Sequence, residues 1–269
     1  MLNKIRHGLA DHQPLKNTQI EKRASVLIPL LESEGELFVL LTQRSKQLRS
    51  HAGQVSFPGG KQDTQDANSL ETALRETHEE IGLPPENVEI FGTLDQILSL
   101  HYFLVTPFVG LIPKDFSPFL NTAEIESVFK VPLTFFMNGD NHWTEEFKTP
   151  IATVLAHHFD YQGFDIWGLT AKLILRLLEI GLGHIPDFQV HHPDSPNWME
   201  RALDYSGEEL PFDLKPLSHS EQGRYIDKRK PSTPKAVKFI NSGSISVLAQ
   251  AIIFSYFSCR SGMINKLLV

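Results

Sequence analysis

The sequence predicts an α+β fold, in which strands form a sheet and two helices cover it. β-rich apolar runs occupy residues 24–31 and 36–42, and the Ser-Glu-Gly segment at 33–35 between them predicts a hairpin. Two other segments have helical periodicity instead, at residues 66–81 and 170–180. Strands and helices therefore share one chain, and neither class of element dominates.

The clearest helix, at residues 66–81, has signals at both ends. Asp66 or Ser69 can cap its first turn. Gly82 can end it in the left-handed conformation, and two prolines follow that prevent its continuation. The remaining predicted strands lie at residues 55–57, 88–98, 105–112 and 166–169, and residues 125–136 are mixed.

Length and composition limit the classes of protein. The chain has 269 residues, 41% of them hydrophobic, so it can bury a core and global disorder is not expected. We divide it into an N-terminal segment (1–23), a domain (24–183) and a C-terminal extension (184–269) that is rich in Pro, Ser, His and charge. The formal net charge of -7 argues against nucleic acid as a partner.

Compartment and membrane attachment are also constrained. The chain contains one cysteine, Cys259, so it cannot form an internal disulfide, which fits a reducing compartment. No apolar run reaches the roughly 18 residues of a membrane helix. We therefore expect a cytoplasmic protein without a membrane span.

Glu76, Glu79 and Glu80 project from one face of the helix at 66–81. Successive residues turn by about 100°, so Glu79 lies about 60° to one side of Glu76 and Glu80 about 40° to the other. An apolar face lies roughly 130° away and is predicted to pack on the sheet. Its members are Leu70, Leu74, Thr77 and Ile81.

This acidic face is unfavourable as structure alone. Like charges at such spacings repel by a few tenths of a kcal/mol per pair, and the helix dipole disfavours anions in the last turn by about 0.3–1 kcal/mol each. A solvated acidic surface is one explanation, and a bound divalent cation is another. The adjacent Arg75 and the Gly59-Gly60 turn favour the cation, because they can hold a carboxylate and approach metal or phosphate. Carboxylate ligands suit Mg²⁺ or Mn²⁺.

Residues 75–83, Arg-Glu-Thr-His-Glu-Glu-Ile-Gly-Leu, resemble the REUXEEXGU half of the Nudix box, in which U is a bulky apolar residue. Thr77 stands where an aliphatic residue is usual. The upstream half of the box, from Gly60 to Arg75, is one residue longer than the common spacing, and Asp66 stands near the usual first glutamate. By this resemblance the chain is identified as a member of the Nudix hydrolases.

A second signature precedes the box. Residues 40–60 are similar to the LLTxRSxxxRxxxGxxxFPGG motif of the coenzyme A pyrophosphatase branch of that family, with every fixed position present. The same branch tolerates the longer spacing of the box. Residues 166–171, Ile-Trp-Gly-Leu-Thr-Ala, also resemble this branch near its last helix.

The resemblance implies a fold, a reaction and a cofactor. The fold is an α/β/α sandwich with a mixed sheet. The reaction is hydrolysis of the diphosphate bond of coenzyme A or its derivatives to 3′,5′-ADP and 4′-phosphopantetheine or its acyl form. Mg²⁺ or Mn²⁺ would be held by Glu76, Glu79 and Glu80, with the carbonyl of Gly60 as a further ligand.

Catalytic roles are predicted for Glu79, Glu76 and Arg75. Glu79 is the first candidate for the base that accepts a proton from the attacking water. Glu124 is a weaker candidate for an additional carboxylate from outside the helix, and an ordinary surface role is equally consistent with it.

Substrate contacts are predicted for two arginines and for the glycine turn. Arg44 and Arg49 offer rigid guanidinium forks that suit phosphate, although a structural ion pair is an equal alternative for either residue. Gly59 and Gly60 are predicted to contact the substrate.

Two rival functions remain open from the sequence. The first is hydrolysis of another nucleoside diphosphate derivative, such as ADP-ribose or NADH. The second is a non-catalytic Nudix domain used for binding, which is disfavoured because all three carboxylates of the box are retained. A homodimer is compatible with the sequence but is not indicated by it.

Overall fold

The computed structural model describes residues 1–99, 101–148 and 153–185. The chain divides into two compact units, and the elements below belong chiefly to the first, which comprises Met1–Glu146 and Leu155–Pro211. The predicted C-terminal extension lies outside the described residues from position 186 onward.

The described residues contain a mixture of strands and α-helices, as the apolar runs and the helical periodicity predict. In chain order these are α1 (Leu2–Asp11), β1 (Arg23–Ser33), β2 (Glu36–Arg44), β3 (Val55–Ser56), β4 (Gly59–Lys61), α2 (Ser69–Ile81), β5 (Glu89–Thr93), β6 (Ile97–Leu98), β7 (Leu104–Leu111), β8 (Ile125–Pro132), β9 (His142–Lys148), β10 (Thr153–Tyr161), β11 (Phe164–Trp167) and α3 (Gly168–Leu182).

The main sheet is mixed and has eight strands. Its central order is β3-β2-β1-β7-β5, and β4, β6 and β8 pair with β1, β7 and β2 respectively. β1 and β7 are parallel, whereas the other pairs are antiparallel. A second sheet has the order β11-β10-β9. The strand β1 therefore lies at the centre, with β4 and its glycines at its edge.

The predicted hairpin at the start of the domain is confirmed. Ser33 of β1 pairs with Glu36 of β2, so the loop contains only Glu34 and Gly35. Both have positive φ, 54° and 80°, which is the two-residue turn that matches the twist of the flanking strands. The turn chemistry thus sets the register of β1 and β2.

Helix α2 is confirmed, but its start differs from the prediction. It begins at Ser69 rather than Asp66, because the side chain of Asn68 caps it by accepting from the amides of Leu70 and Glu71 at 2.9 and 3.0 Å. Gly82 ends it in the left-handed conformation with φ of 72°, as predicted.

One face of the main sheet is covered by α2. Ala73 and Ile81 of the helix are fully buried against Leu27 of β1. Thr77 occupies the position that is usually aliphatic and is buried, because its hydroxyl donates to the carbonyl of Ala73 at 2.6 Å. Of the other two residues in the predicted apolar face, Leu70 packs against this cluster, and Leu74 is half-buried.

The opposite face is covered by α3 and by α1, which was not predicted. Leu2, Ile5 and Leu9 of α1 are buried in the same core as α3. The two helices pack closely at glycines: a Cβ on Gly8 would lie 2.3 Å from the carbonyl oxygen of Ile180. The result is the predicted α/β/α sandwich with a mixed sheet.

Two further boundaries differ from the predictions. The strand expected at 88–98 is interrupted between β5 and β6, where the carboxylate of Asp95 accepts from Arg176 and from the amide of Leu15. Helix α3 continues past residue 180 to Leu182 and is capped by Gly183, because Gly181 lies within the helix against Ile5.

In the described residues, no helix is both long and apolar enough to span a membrane.

Candidate active site

Glu80 lies beneath the Gly59-Gly60 turn and is only 3% exposed. The amide of Gly59 donates to its Oε2 at 3.0 Å, and Nη1 of Arg44 lies 3.4 Å from its Oε1. Burial raises the pKa of Glu80 to about 7, although the hydrogen bond from Gly59 and the charge of Arg44 act in the opposite direction. The helix thus presents a desolvated carboxylate directly to the turn.

Glu76 approaches the same turn at its second glycine. A Cβ on Gly60 would lie 2.3 Å from both Cδ and Oε2 of Glu76, so only glycine permits this approach. Burial also raises the pKa of Glu76, against the hydrogen bond and charge of Arg75. Glu76 and Glu80, one helical turn apart, therefore both reach the glycine turn, as the sequence predicts for this face of α2.

Arg75 is held by Asp66 in a two-point ion pair. Its Nε and Nη2 donate to Oδ1 and Oδ2 of Asp66 at 2.8 and 2.9 Å. The hydrogen bonds from Arg75 hold the pKa of Asp66 well below its usual range. Nη1 of the same guanidinium donates to Glu76 at 3.0 Å and to Glu79 at 3.2 Å. Asp66 therefore orients the arginine that contacts two of the predicted metal ligands.

Glu79 differs from the other two carboxylates. Its side chain is 55% exposed and pairs with Arg75 on the outer side of the helix. The helical spacing places all three residues on one face, as predicted, and Glu79 shares Nη1 of Arg75 with Glu76. Within residues 1–99, 101–148 and 153–185, no three acidic, histidine or cysteine side chains are already arranged around one point.

Glu124 lies close to this acidic cluster from a separate segment. The amide of Asn121 donates to the carbonyl of Glu80 at 3.0 Å, and its side chain donates to Glu124 at 3.3 Å. After burial, the main cause, the charge of Glu124 also raises the pKa of Glu76 and of Glu80. The charge of Glu124, the weaker sequence candidate for an additional carboxylate, therefore acts on both buried glutamates of the site.

The two predicted substrate arginines have different surroundings. Arg44 is 24% exposed in its side chain and pairs with Glu80, which is the structural ion pair considered as its alternative. Arg49 is exposed and makes no hydrogen bond or ion pair with the described residues. Neither arginine is brought to the glycine turn as an unpaired cation.

This region of the chain is similar to known proteins. The NUDIX domain model matches residues 21–146, which include β1, the glycine turn and α2. An uncharacterized Nudix hydrolase, NudL of Enterobacter sp. (strain 638), is 40% identical over 162 residues, which cover 60% of this chain and 84% of the relative. The chain belongs to the Nudix family.

Two plant relatives are equally similar but longer. Nudix hydrolase 15, mitochondrial, of Arabidopsis thaliana is 41% identical over 174 residues, which cover 62% of this Nudix chain and 61% of the relative. Nudix hydrolase 22, chloroplastic, of the same plant is 41% identical over 180 residues, which cover 64% and 60%. The match therefore spans about three fifths of these two proteins.

Nudix hydrolases generally use divalent metal ions such as Mg²⁺ or Mn²⁺, and the donor set of this chain fits such an ion. Its candidate ligands are carboxylates, which hard cations prefer. Glu76 and Glu80 are buried enough for their pKa values to be raised, so a nearby positive charge would stabilise their ionised forms. Participation of Glu79 would require its carboxylate to exchange Arg75 for the ion.

Sequence reasoning missed two groups that position the site. Asp66 was considered as a helix cap, whereas it lies outside the helix and holds Arg75. The amide of Gly59 was expected to face the substrate, whereas it binds Glu80. The signal available in the sequence was the place of Asp66 near the usual first glutamate of the box.

Proposed function

We propose that this Nudix protein hydrolyses the diphosphate bond of coenzyme A or its derivatives, releasing 3′,5′-ADP and 4′-phosphopantetheine or its acyl form. The observation that carries the proposal is the joint approach of Glu76 and Glu80 to the Gly59-Gly60 turn. The choice of coenzyme A is supported by the motif at residues 40–60, which resembles that of the coenzyme A pyrophosphatase branch.

The carboxylates of Glu76, Glu79 and Glu80 and the carbonyl of Gly60 would hold Mg²⁺ or Mn²⁺. When bound, such an ion neutralises charge on the diphosphate and makes water a stronger nucleophile at neutral pH. Arg75 keeps Glu76 and Glu79 close to this position, and Asp66 fixes Arg75. Glu80 stays in place through the amide of Gly59.

A carboxylate of this chain takes the proton that the attacking water releases. The water oxygen forms a bond to one phosphorus, the bond from that phosphorus to the bridging oxygen breaks, and the bridging oxygen leaves with the other phosphate. We assign the proton acceptor to Glu79, because its side chain is 55% exposed, against 19% for Glu76 and 4% for Glu80.

Product analysis tests the proposal. Purified protein is incubated with coenzyme A, with Mg²⁺, Mn²⁺ or a chelator, and 3′,5′-ADP is quantified by chromatography. ADP-ribose and NADH are assayed in parallel at the same concentration. Metal-dependent release of 3′,5′-ADP is expected, whereas cleavage of ADP-ribose or NADH in preference to coenzyme A would assign the site to another diphosphate substrate.

One further observation distinguishes a non-catalytic binding domain from a hydrolase of either substrate class. A Nudix domain used only for binding would retain affinity for a nucleotide and cleave none of the three substrates with either metal ion. Isothermal titration with 3′,5′-ADP, alongside the product assay, identifies that outcome.

A further inference from the structure

Two lysine side chains converge on one aromatic ring beside the glycine turn. Nζ of Lys61 lies 5.0 Å from the ring centroid of Phe103, and Nζ of Lys22 lies 5.7 Å from it. Both lysines are exposed, and Phe103 is half-buried. Neither ammonium group forms an ion pair with an acidic side chain in the described part of the chain. We call these three residues the lysine-phenylalanine cluster.

The backbone fixes this cluster next to the candidate active site. Lys61 follows Gly60 in β4 and pairs with Ala24 of β1. Lys22 precedes β1, and its carbonyl accepts from the amide of Leu104 at 2.8 Å, which brings Phe103 beside it. Glu76 approaches the turn at Gly60, and Lys61 of the cluster is the next residue in the chain.

The charges of the cluster are unbalanced. Each ammonium group is attracted to the face of the ring, but the two positive charges repel each other and no carboxylate offsets them. The whole chain has a formal net charge of -7, so two unpaired cations at one ring are not a general property of its surface. An anion placed between the lysines would remove the repulsion and provide the missing partner.

The cluster lies on the opposite side of β4 from the acidic cluster. A Cβ on Gly60 would point at Glu76, and neighbouring residues of a strand point to opposite faces. Lys61 is therefore directed away from Glu76, and an anion bound there would be separate from the diphosphate being cleaved. A phosphomonoester is such an anion, and its charge of about -2 suits two ammonium groups.

We propose that Lys22 and Lys61 bind the phosphomonoester that the substrate carries in addition to its diphosphate. This inference rests on the proposed function, in which the substrate is coenzyme A with its 3′-phosphate. Arg44, one of the two arginines predicted to contact phosphate, is already engaged by Glu80.

The test compares coenzyme A with dephospho-coenzyme A, which lacks only the 3′-phosphate. In the Lys22→Gln, Lys61→Gln and double variants, the ratio of kcat/KM for coenzyme A to that for dephospho-coenzyme A should fall. Loss of a charge-assisted hydrogen bond predicts a fall of about tenfold to a hundredfold. The matched control is Lys130→Gln, because Lys130 lies over the ring of Phe38 at 4.8 Å in a different part of the sheet.

A binding measurement does not depend on turnover. With a chelator present, the wild-type protein should bind adenosine 3′,5′-bisphosphate at least tenfold more tightly than AMP, by about 1.4 kcal/mol, and the double variant should lose this difference. Raising the salt concentration should weaken the wild-type preference, because the lysines are exposed.

The outcomes separate the two proposals. An equal loss of kcat/KM for both substrates in the lysine variants would mean that the lysines contact the diphosphate, and the inference would be wrong. Absence of hydrolysis of either substrate by the wild-type protein would overturn the proposed function, and the binding measurement would then decide the inference alone. Equal affinity of the wild-type protein for the two nucleotides would overturn it.

Discussion

The backbone amide of Gly59 and the buried carboxylate of Glu80 form a 3.0 Å hydrogen bond that joins the glycine turn to helix α2. Glu80 is only 3% exposed, so its carboxylate is largely shielded from water. The amide of Gly59 and the guanidinium of Arg44 contact the carboxylate instead. The turn and the helix therefore act as one unit, and changes on either side should affect the same activity.

Glu80→Gln should abolish metal-dependent release of 3′,5′-ADP while preserving the fold. We expect kcat/KM to fall by at least about a hundredfold, the effect of losing a metal ligand or its support. The glutamine amide oxygen can still accept from Gly59, so the free energy of unfolding at pH 8 should be equal or higher, because a buried charge is removed. Glu86→Gln, at an exposed position just after α2, is the control. Near-normal turnover of Glu80→Gln would refute the metal role.

Asp66→Asn should lower kcat more than it raises KM. It removes one side of the two-point ion pair, so Arg75 loses its fixed orientation toward Glu76 and Glu79. Loss of such an orienting partner predicts a fall in kcat of about tenfold to a hundredfold and a loss of stability of about 1–3 kcal/mol. Steady-state kinetics and urea unfolding measure both effects, with the exposed Asp115→Asn as control. An unchanged kcat would show that Asp66 serves stability alone.

Gly60→Ala should reduce activity more than stability. The new Cβ would occupy the position of the Glu76 carboxylate, which can swing away because it is the end of a flexible side chain. We expect a fall in kcat of more than about tenfold and a change in the free energy of unfolding below about 1 kcal/mol. The control Gly35→Ala should show the reverse, since it has open space around it but a φ of 80°. Full activity of Gly60→Ala would contradict the close approach of Glu76.

Acidification should destabilise the protein through His142 and His157. Nε2 of His142 and Nδ1 of His157 lie 3.0 Å apart in the interior. Burial lowers their pKa values to about 4 and about 3 from an ordinary value of 6.5. The unfolded chain therefore binds protons first as the pH falls, so the stability due to the neutral pair is present above pH 6.5 and is lost progressively as the pH falls through about 4 and about 3.

Protonation of Glu80 has the opposite effect on stability, so the experiment must remove its contribution. Its pKa is raised to about 7, so its protonation stabilises the folded chain as the pH falls below that value. We therefore compare Glu80→Gln with Glu80→Gln carrying His157→Gln, by urea unfolding between pH 5 and 8. Removal of His157 should flatten the decline in stability below pH 6.5. Parallel curves for the two proteins would show that the histidine pair does not titrate on unfolding.

Helical geometry and turn chemistry made much of the site predictable. The 3.6-residue period placed Glu76 and Glu80 on one face of α2, and Gly82 was recognised as its end, because both depend on neighbouring residues alone. The direction of Glu79 was not predictable in this way. It depends on the side-chain torsions that bring it to Arg75, and Arg75 is oriented by Asp66, which lies outside the helix.

Contacts between distant segments account for the rest. Helix α1 has only three buried residues in a polar segment, and its position becomes favourable only when Gly181 of α3 lies against Ile5. The cluster of Lys22, Lys61 and Phe103 likewise comes from three separate strand ends. No local pattern in the sequence joins these residues, so only the sheet topology could reveal them.

The close contact between Gly8 and Ile180 has a practical consequence for anyone who prepares a shortened version of this protein. The family match starts at residue 21, which is a tempting place to begin an expression fragment. Such a fragment would lack α1 and would expose the apolar surface of α3 around Gly181 to water. Aggregation of that fragment during purification would then be caused by the loss of α1, and it would give no information on the oligomeric state of the intact protein.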